Sequence, residues 1–197
     1  GTDLSSAVPW SHISSIFEDS SGRLWISAVY AGLNVYDTNS GVNWHFEAGE
    51  DEGALESNFI WQTYQSDDGT LWVTTSGEGD AVYKIIEDEF TFPYHEFEEL
   101  VDPTKVTRGI LEDPDGMIWI LKSTASPRLP ELETELWKID RELNTITQAN
   151  LSSNRASPSL PLFAASLSMD ANKNIWVGTT EGYFVGSLTG NNFRKFV

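Results

Sequence analysis

The sequence predicts an all-β fold assembled from four repeated antiparallel sheets. Three observations carry this. One tryptophan recurs at a fixed place in four segments, a tight polar turn precedes each copy, and short β-rich runs flank it. The copies are Trp25, Trp72, Trp119 and Trp176, separated by 47, 47 and 57 residues. A period of that size marks a repeat architecture. Three residues before each Trp stands Gly22, Gly69 or Gly116, with Lys173 as the exception. Six residues before stands Asp19, Asp113 or Asp170, with Ser66 as the exception. An Asp or Ser side chain can cap its own turn, and Gly supplies the positive φ that closes a hairpin. At Lys173-Asn174 the glycine is missing, but Asn also tolerates the left-handed region.

Each unit reads as four strands. The first precedes the turn, as in Ile13 to Phe17, Phe59 to Tyr64 and Val106 to Leu111. The second carries the Trp, as in Leu24-Trp-Ile-Ser27. The third is Gly32 to Tyr36, Ala81 to Ile85, Glu135 to Ile139 and Gly182 to Val185. A weaker fourth is Asn43 to Phe46, Phe90 to Phe92, Thr145 to Thr147 and Asn192 to Phe196. Four short strands per roughly 45 residues is the signature of a β-propeller blade. The expected blades are 11–47, 58–98, 105–149 and 161–197, in a single propeller region over 1–197. One window competes: Leu132, Leu136, Ile139, Leu143 and Ile146 form a helical stripe. The repeat overrides it, because Leu136-Trp-Lys-Ile-Asp140 falls in the place of the third strand.

Composition removes several functions. The 197 residues include 12 basic and 30 acidic ones, a formal net charge of -18. That sign opposes nucleic-acid phosphates and anionic membrane surfaces. No run approaches the roughly 20 apolar residues of a membrane span, so no membrane insertion is expected in this stretch. There are no cysteines, which excludes disulfides, zinc-thiolate sites and thiol nucleophiles. From Asp37 to Asp102 there are 17 acidic residues and one basic residue, Lys84. Clusters such as Glu50-Asp51-Glu52 lack the alternating ligand spacing of a calcium loop, so they read as a solvated surface. No metal and no cofactor are expected. The chain begins with Gly, which suggests a tag scar or an excised piece of a longer protein.

Catalytic signatures are absent. There is no HExxH motif, no GxSxG elbow and no phosphate loop. The histidines His12, His45 and His95 stand at no ligand spacing and read as structural or surface groups. The four repeated tryptophans read as core, since one repeat position fills one packing slot. The variable parts are the loops after the Trp strands: Ala28 to Ala31, Ser76 to Asp80, Ser123 to Thr134 and Thr179 to Glu181. Uniform turns serve the fold and variable loops serve recognition. The ligand-site candidates are therefore Tyr30, Glu78, Arg128 and Glu181. Arg128 leads, because an Arg on a long loop can grip a carboxylate bidentately.

The pattern Glu-Asp-x-x-Gly-x-Leu/Ile-Trp-Ile, followed by Gly32-Leu-Asn-Val-Tyr-Asp37, resembles the two-component regulator propeller repeat. Ile16 to Asp37 is the nearest match, and the repeats cover nearly the whole chain. The resemblance implies a periplasmic, ligand-sensing, non-catalytic region of a membrane histidine kinase or hybrid regulator, with carbohydrate as a ligand class. Such propellers have about seven blades, so four blades imply an arc of a larger ring, with a closed four-blade ring as second choice. The expected partners are a small-molecule or carbohydrate ligand, the rest of the parent signalling protein, and further copies through exposed blade faces. The alternatives are a propeller enzyme, such as a lyase or glycoside-active protein, and a scaffold presenting its acidic surface to a basic partner.

Overall fold

In the computed structural model of the protein, residues 12–51, 53–76, 82–85, 100, 102, 104–149, 151, 162–188 and 193–196 are described. They form strands and turns, with no α-helix among them. The chain divides into two compact units, residues 1–103 and 104–197.

The first unit holds two sheets. One runs in the order β1 (His12–Glu18), β2 (Arg23–Val29), β3 (Leu33–Asp37), β4 (Asn43–Phe46). The other holds β5 (Ile60–Gln65), β6 (Leu71–Thr75) and β7 (Val82–Ile85). The fourth strand expected at Phe90 to Phe92 lies outside the described residues. The second unit repeats the arrangement with β8 (Lys105–Glu112), β9 (Ile118–Thr124), β10 (Thr134–Asp140) and β11 (Thr145–Ala149), then β12 (Ala164–Met169), β13 (Asn174–Thr179), β14 (Gly182–Ser187) and β15 (Arg194–Phe196). All named pairings are antiparallel between sequence neighbours, the up-and-down sheet of a propeller blade. The helical stripe is absent: Leu136 and Ile139 lie on opposite faces of β10, buried at 0% and 3% exposure, and Leu143 lies in the next turn. Pairing with β9 overrides the local pattern.

Within each unit, one blade lays a face on the next. In the first unit Trp25, Leu33 and Val35 pack with Leu55, Ile60, Leu71, Val73 and Ile85 in one buried cluster. The blade that comes first thus offers its Trp face. The following blade offers the opposite face, on which Leu71 and Val73 flank Trp72 in the period of two. Polar contacts lock the same seam. Ser27 Oγ lies 3.0 Å from Thr63 Oγ1, Ser14 Oγ donates to the Ile60 carbonyl, and the Thr63 amide donates to Ser15 Oγ. In the second unit Leu167 sits on Gly109, where an added Cβ would meet the Leu167 Cβ at 2.7 Å.

The repeated turn explains the repeated residues. In every copy the residue six before Trp accepts the indole N–H. Trp25 Nε1 donates to Asp19 Oδ2 at 2.7 Å and Trp119 Nε1 to Asp113 Oδ2 at 2.8 Å. Trp176 Nε1 donates to Asp170 Oδ2 at 2.8 Å. Ser66 is no exception in function, since its Oγ accepts from Trp72 Nε1 at 2.7 Å. In the Asp copies the other carboxylate oxygen accepts backbone N–H groups of the turn: Ser21 and Arg23, Asp115 and Met117, Asn172 and Asn174. The carboxylate therefore ties the turn to the core. The glycines sit at φ of 81, 87 and 78°. In the fourth turn Lys173 itself, and not Asn174, takes this left-handed place, at φ 65°.

These contacts shift acidities. The Asp170 carboxyl is pulled from 3.8 to about 2, first by the Asn174 side chain, then by the Asn174 amide and the Trp176 indole. At Asp19 burial alone would raise the value, but donation from Trp25 and Arg23 outweighs it and holds the group below its ordinary range.

Three outcomes follow. Trp25→Ala, which empties a fully buried slot, should cost roughly 3–5 kcal/mol in urea unfolding. Lys173→Gly should raise stability by roughly 0.5–1 kcal/mol, because a left-handed L-residue costs about 1–2 kcal/mol and part returns as glycine's unfolded-state entropy. A depressed carboxyl stabilises the fold above its unfolded pKa, and this contribution is lost as pH falls toward the folded value. Asp170→Asn should therefore flatten the acid limb of stability between 3.8 and about 2, read as the change in urea midpoint with pH.

Candidate functional site

Two features share one end of each blade: the loop after the Trp strand and a bulge in the first strand. The register of β1 on β2 shifts between Ile13 and Ser15, and that of β5 on β6 between Ile60 and Gln62. The same shift falls between Thr107 and Gly109, and between Ala164 and Ser166. The extra residues are Ser14, Trp61, Arg108 and Ala165, each eleven before its tryptophan. A bulge re-aims a side chain and sharpens strand twist, and it often borders a binding site. Here one position of the repeat carries a hydroxyl, an indole, a guanidinium and a methyl. The sequence reading missed it, because residues so unlike leave no pattern.

Arg108 shows what the bulge does. It is 7% exposed, its Nη2 donates to the Ala125 carbonyl at 2.8 Å, and its guanidinium lies 4.9 Å from the Phe163 ring centroid. It thereby holds the base of the long loop between β9 and β10. Other contacts fix the same base. Lys105 Nζ pairs with Glu133 and Glu135, both at 2.9 Å, and Ser123 Oγ lies 2.9 Å from Thr134 Oγ1. Thr134 also donates to the Leu162 carbonyl at 2.6 Å, and the Ala164 amide donates to Ser123 Oγ. The loop tip from Pro127 to Pro130 is exposed above this base.

The candidates take distinct places. Arg128 stands at the exposed loop tip, its amide donating to Ser126 Oγ at 3.2 Å. Glu181 is exposed in the β13–β14 turn and pairs with Lys195 at 3.2 Å. Both belong to the second unit, on neighbouring blades. Glu78 lies outside the described residues. Tyr30 belongs to the first unit, is 73% exposed, and stands at φ 71°. Its ring meets Phe59 edge-on at 4.4 Å between centroids. A bulky residue in the left-handed region carries backbone strain, which persists where something else requires it. Nearby, His45 Nδ1 lies 2.9 Å from Asn34 Oδ1 and Nε2 lies 3.2 Å from Glu47, so His45 serves the β3–β4 seam. Among the described residues, no three His, Asp or Glu side chains cluster as metal ligands would.

The family model of the two component regulator propeller matches residues 7–30 and 54–77. Those two segments are therefore similar to the two component regulator propeller repeat. Both matched segments contain a bulge, the capped turn and the Trp strand. Solved propellers share the fold. The extracellular domain of BT4673 from B. thetaiotaomicron, assigned to a hybrid two component system, superposes with a TM-score of 0.65 at 21% identity, over 92% of this chain and 23% of that one. The corresponding domain of BT3049 gives 0.54 at 18% identity, over 98% of this chain and 30% of that one. The GH74 enzyme of Niastella koreensis gives 0.61 at 13% identity, over 90% and 28%. This chain thus spans less than a third of the length of each. No curated protein matches its sequence significantly.

Arg108→Met would remove the guanidinium donor from the Ala125 carbonyl at the loop base. It should cost about 1–3 kcal/mol and speed amide exchange in the segment from Ala125 to Glu133 relative to β8 and β9. Unchanged exchange there would show that the loop base is held without Arg108.

Proposed function

We propose that this chain is part of a non-catalytic, ligand-binding propeller that lies outside the cytoplasm and reports to the signalling machinery of a parent histidine kinase or hybrid regulator. The observation that carries this reading is the two component regulator propeller repeat at residues 7–30 and 54–77. The likeness in fold to extracellular domains of hybrid two component systems supports it. The ligand contacts the loops after the Trp strands. Tyr30 offers a strained, exposed aromatic face, which suits stacking on a sugar ring. Arg128 offers a guanidinium on a braced loop, which suits a carboxylate. Glu78 and Glu181 add acceptors for hydroxyl groups. Carbohydrates, acidic ones included, are the ligand class these groups fit. A glycoside-active enzyme is the second reading, favoured by the fold likeness to a GH74 protein. It requires two carboxyl groups facing one glycosidic bond.

Calorimetric titration with neutral and acidic oligosaccharides tests the proposal, using the full ectodomain beside this chain. Arg128→Ala should weaken binding of the acidic ligand at least tenfold and leave the unfolding midpoint unchanged. Tyr30→Gly should stay within about 1 kcal/mol of wild-type stability, since relief of strain offsets the lost ring contact, yet weaken binding. Oligosaccharide consumption by the purified chain, abolished by one acid substitution, would establish the enzyme instead. Binding unaffected by either variant would move the site away from these loops.

A further inference from the structure

The chain enters the second blade of each unit through a pair of residues, Asn58-Phe59 ahead of β5 and Leu162-Phe163 ahead of β12. They stand fourteen and thirteen residues before Trp72 and Trp176, and they make the same contacts in both units. The first carbonyl accepts from the Trp-strand loop of the preceding blade. The Gly32 amide donates to Asn58 at 3.0 Å, and Thr134 Oγ1 donates to Leu162 at 2.6 Å. The second carbonyl accepts from the loop of its own blade, at the amide four residues after the Trp. Ser76 donates to Phe59 at 2.9 Å, and Thr180 donates to Phe163 at 3.0 Å. The phenyl ring reaches back to the preceding blade, meeting Tyr30 edge-on in the first unit and the Arg108 guanidinium in the second.

Side chains tighten both crossings. In the second unit the hydroxyl of Thr134 has one proton, and it goes to Leu162. Ser123 therefore donates to Thr134 Oγ1 while its own oxygen accepts the Ala164 amide at 3.0 Å. Ser123 and Thr134 pair across β9 and β10 at the two ends of the loop that carries Arg128. On the far side Thr180 neighbours Glu181 in the β13–β14 turn. There the Glu181 amide donates to Thr179 Oγ1, which donates to the Gly182 carbonyl. In the first unit Ser57 Oγ donates to the Ser76 carbonyl and accepts the Phe59 amide, so Ser76 is held through both of its backbone groups.

We infer that this entry segment couples the two Trp-strand loops beside it, with Phe59 and Phe163 as its fixed points and Thr134 as a positioning residue for the loop of Arg128. The inference rests on the reading of these loops as the ligand site. The two carbonyls flank the Cα of one Phe whose ring is packed, and each lies in a planar peptide unit, so neither acceptor shifts far alone. A ligand that immobilises one loop then meets the other already ordered. That is coupling through order, with no change of shape required.

Amide hydrogen exchange of the whole 197-residue chain, without ligand, tests the coupling. Thr134→Val keeps the shape of a fully buried side chain and removes its hydroxyl. Exchange at the Thr180 amide, across the seam, should rise about fivefold relative to the β13 amides, as for the loss of one net hydrogen bond. Thr134→Ser keeps the hydroxyl and should leave that rate unchanged. In the first unit Ser57→Ala should speed exchange at the Gly32 amide in the same way, which decides the matter should Thr134→Val fail to fold. Titration with an oligogalacturonate, an acidic carbohydrate probe, reads the site itself. Thr134→Val should bind it about fivefold more weakly, because the loop must then be ordered on binding, and Thr134→Ser should bind like the wild type. Exchange at Thr180 and Gly32 that ignores these variants overturns the inference, and so does wild-type affinity in Thr134→Val. A wild type that binds no oligogalacturonate would instead count against the ligand reading, and the exchange rates would still decide the coupling.

Discussion

Each blade depends on one hydrogen bond, buried in the first three, from the indole N–H of its tryptophan to an oxygen six residues earlier. A large aromatic side chain gives the core its area, but a buried indole N–H left alone would cost what that area contributes. Asp19, Asp113 and Asp170 remove this cost with one oxygen and cap the turn with the other. The turn geometry and the core are thereby one structure. Ser66 supplies the indole acceptor but has no second oxygen to spare, and in that turn Asp68 accepts the Thr70 amide instead. Within each unit the first tryptophan lies on the face where the second blade rests, so the bond also governs the seam between those two sheets.

The opposite end of each blade obeys another rule. There the first strand bulges at the same repeat position in all four sheets, and the side chain at the bulge is free to differ. In the second unit this freedom is used to brace a long loop through Arg108 and Phe163. In the first unit Ser14 is spent on the seam, donating to the Ile60 carbonyl. The fold is thus constant where the carboxylate sits and adaptable where the bulge sits. Function on a repeat scaffold is placed by such a division of labour, because substitutions at the loop end leave the turn–indole bond untouched.

Much of this was legible in the sequence. The tryptophan spacing and its turn residues led to the sheets, and they outweighed the helical stripe through Leu136 and Ile139. What was illegible has physical reasons. The acceptor role of Ser66 was hidden because a hydroxyl and a carboxylate look unlike yet satisfy the same N–H. The left-handed Lys173 was hidden because its strain is tolerated by the neighbouring bonds of Asp170, not by its own side chain. The bulges left no trace, since a backbone irregularity filled by Ser, Trp, Arg and Ala has no shared chemistry. Of the candidate loop residues, the positive φ of Tyr30 and the braced base beneath Arg128 emerge only from the fold.

A double-mutant cycle on Asp113 and Trp119 tests the central claim most directly. These two side chains meet at 2.8 Å in a buried site. Unfolding free energies of Asp113→Ala, Trp119→Phe and the double variant isolate the term between carboxylate and indole. The account predicts a coupling of about 1.5–3 kcal/mol, the range for a hydrogen bond to a charged group. Strictly additive losses would contradict it, for the tryptophan would then be held by packing alone and the recurring spacing of six would need another cause.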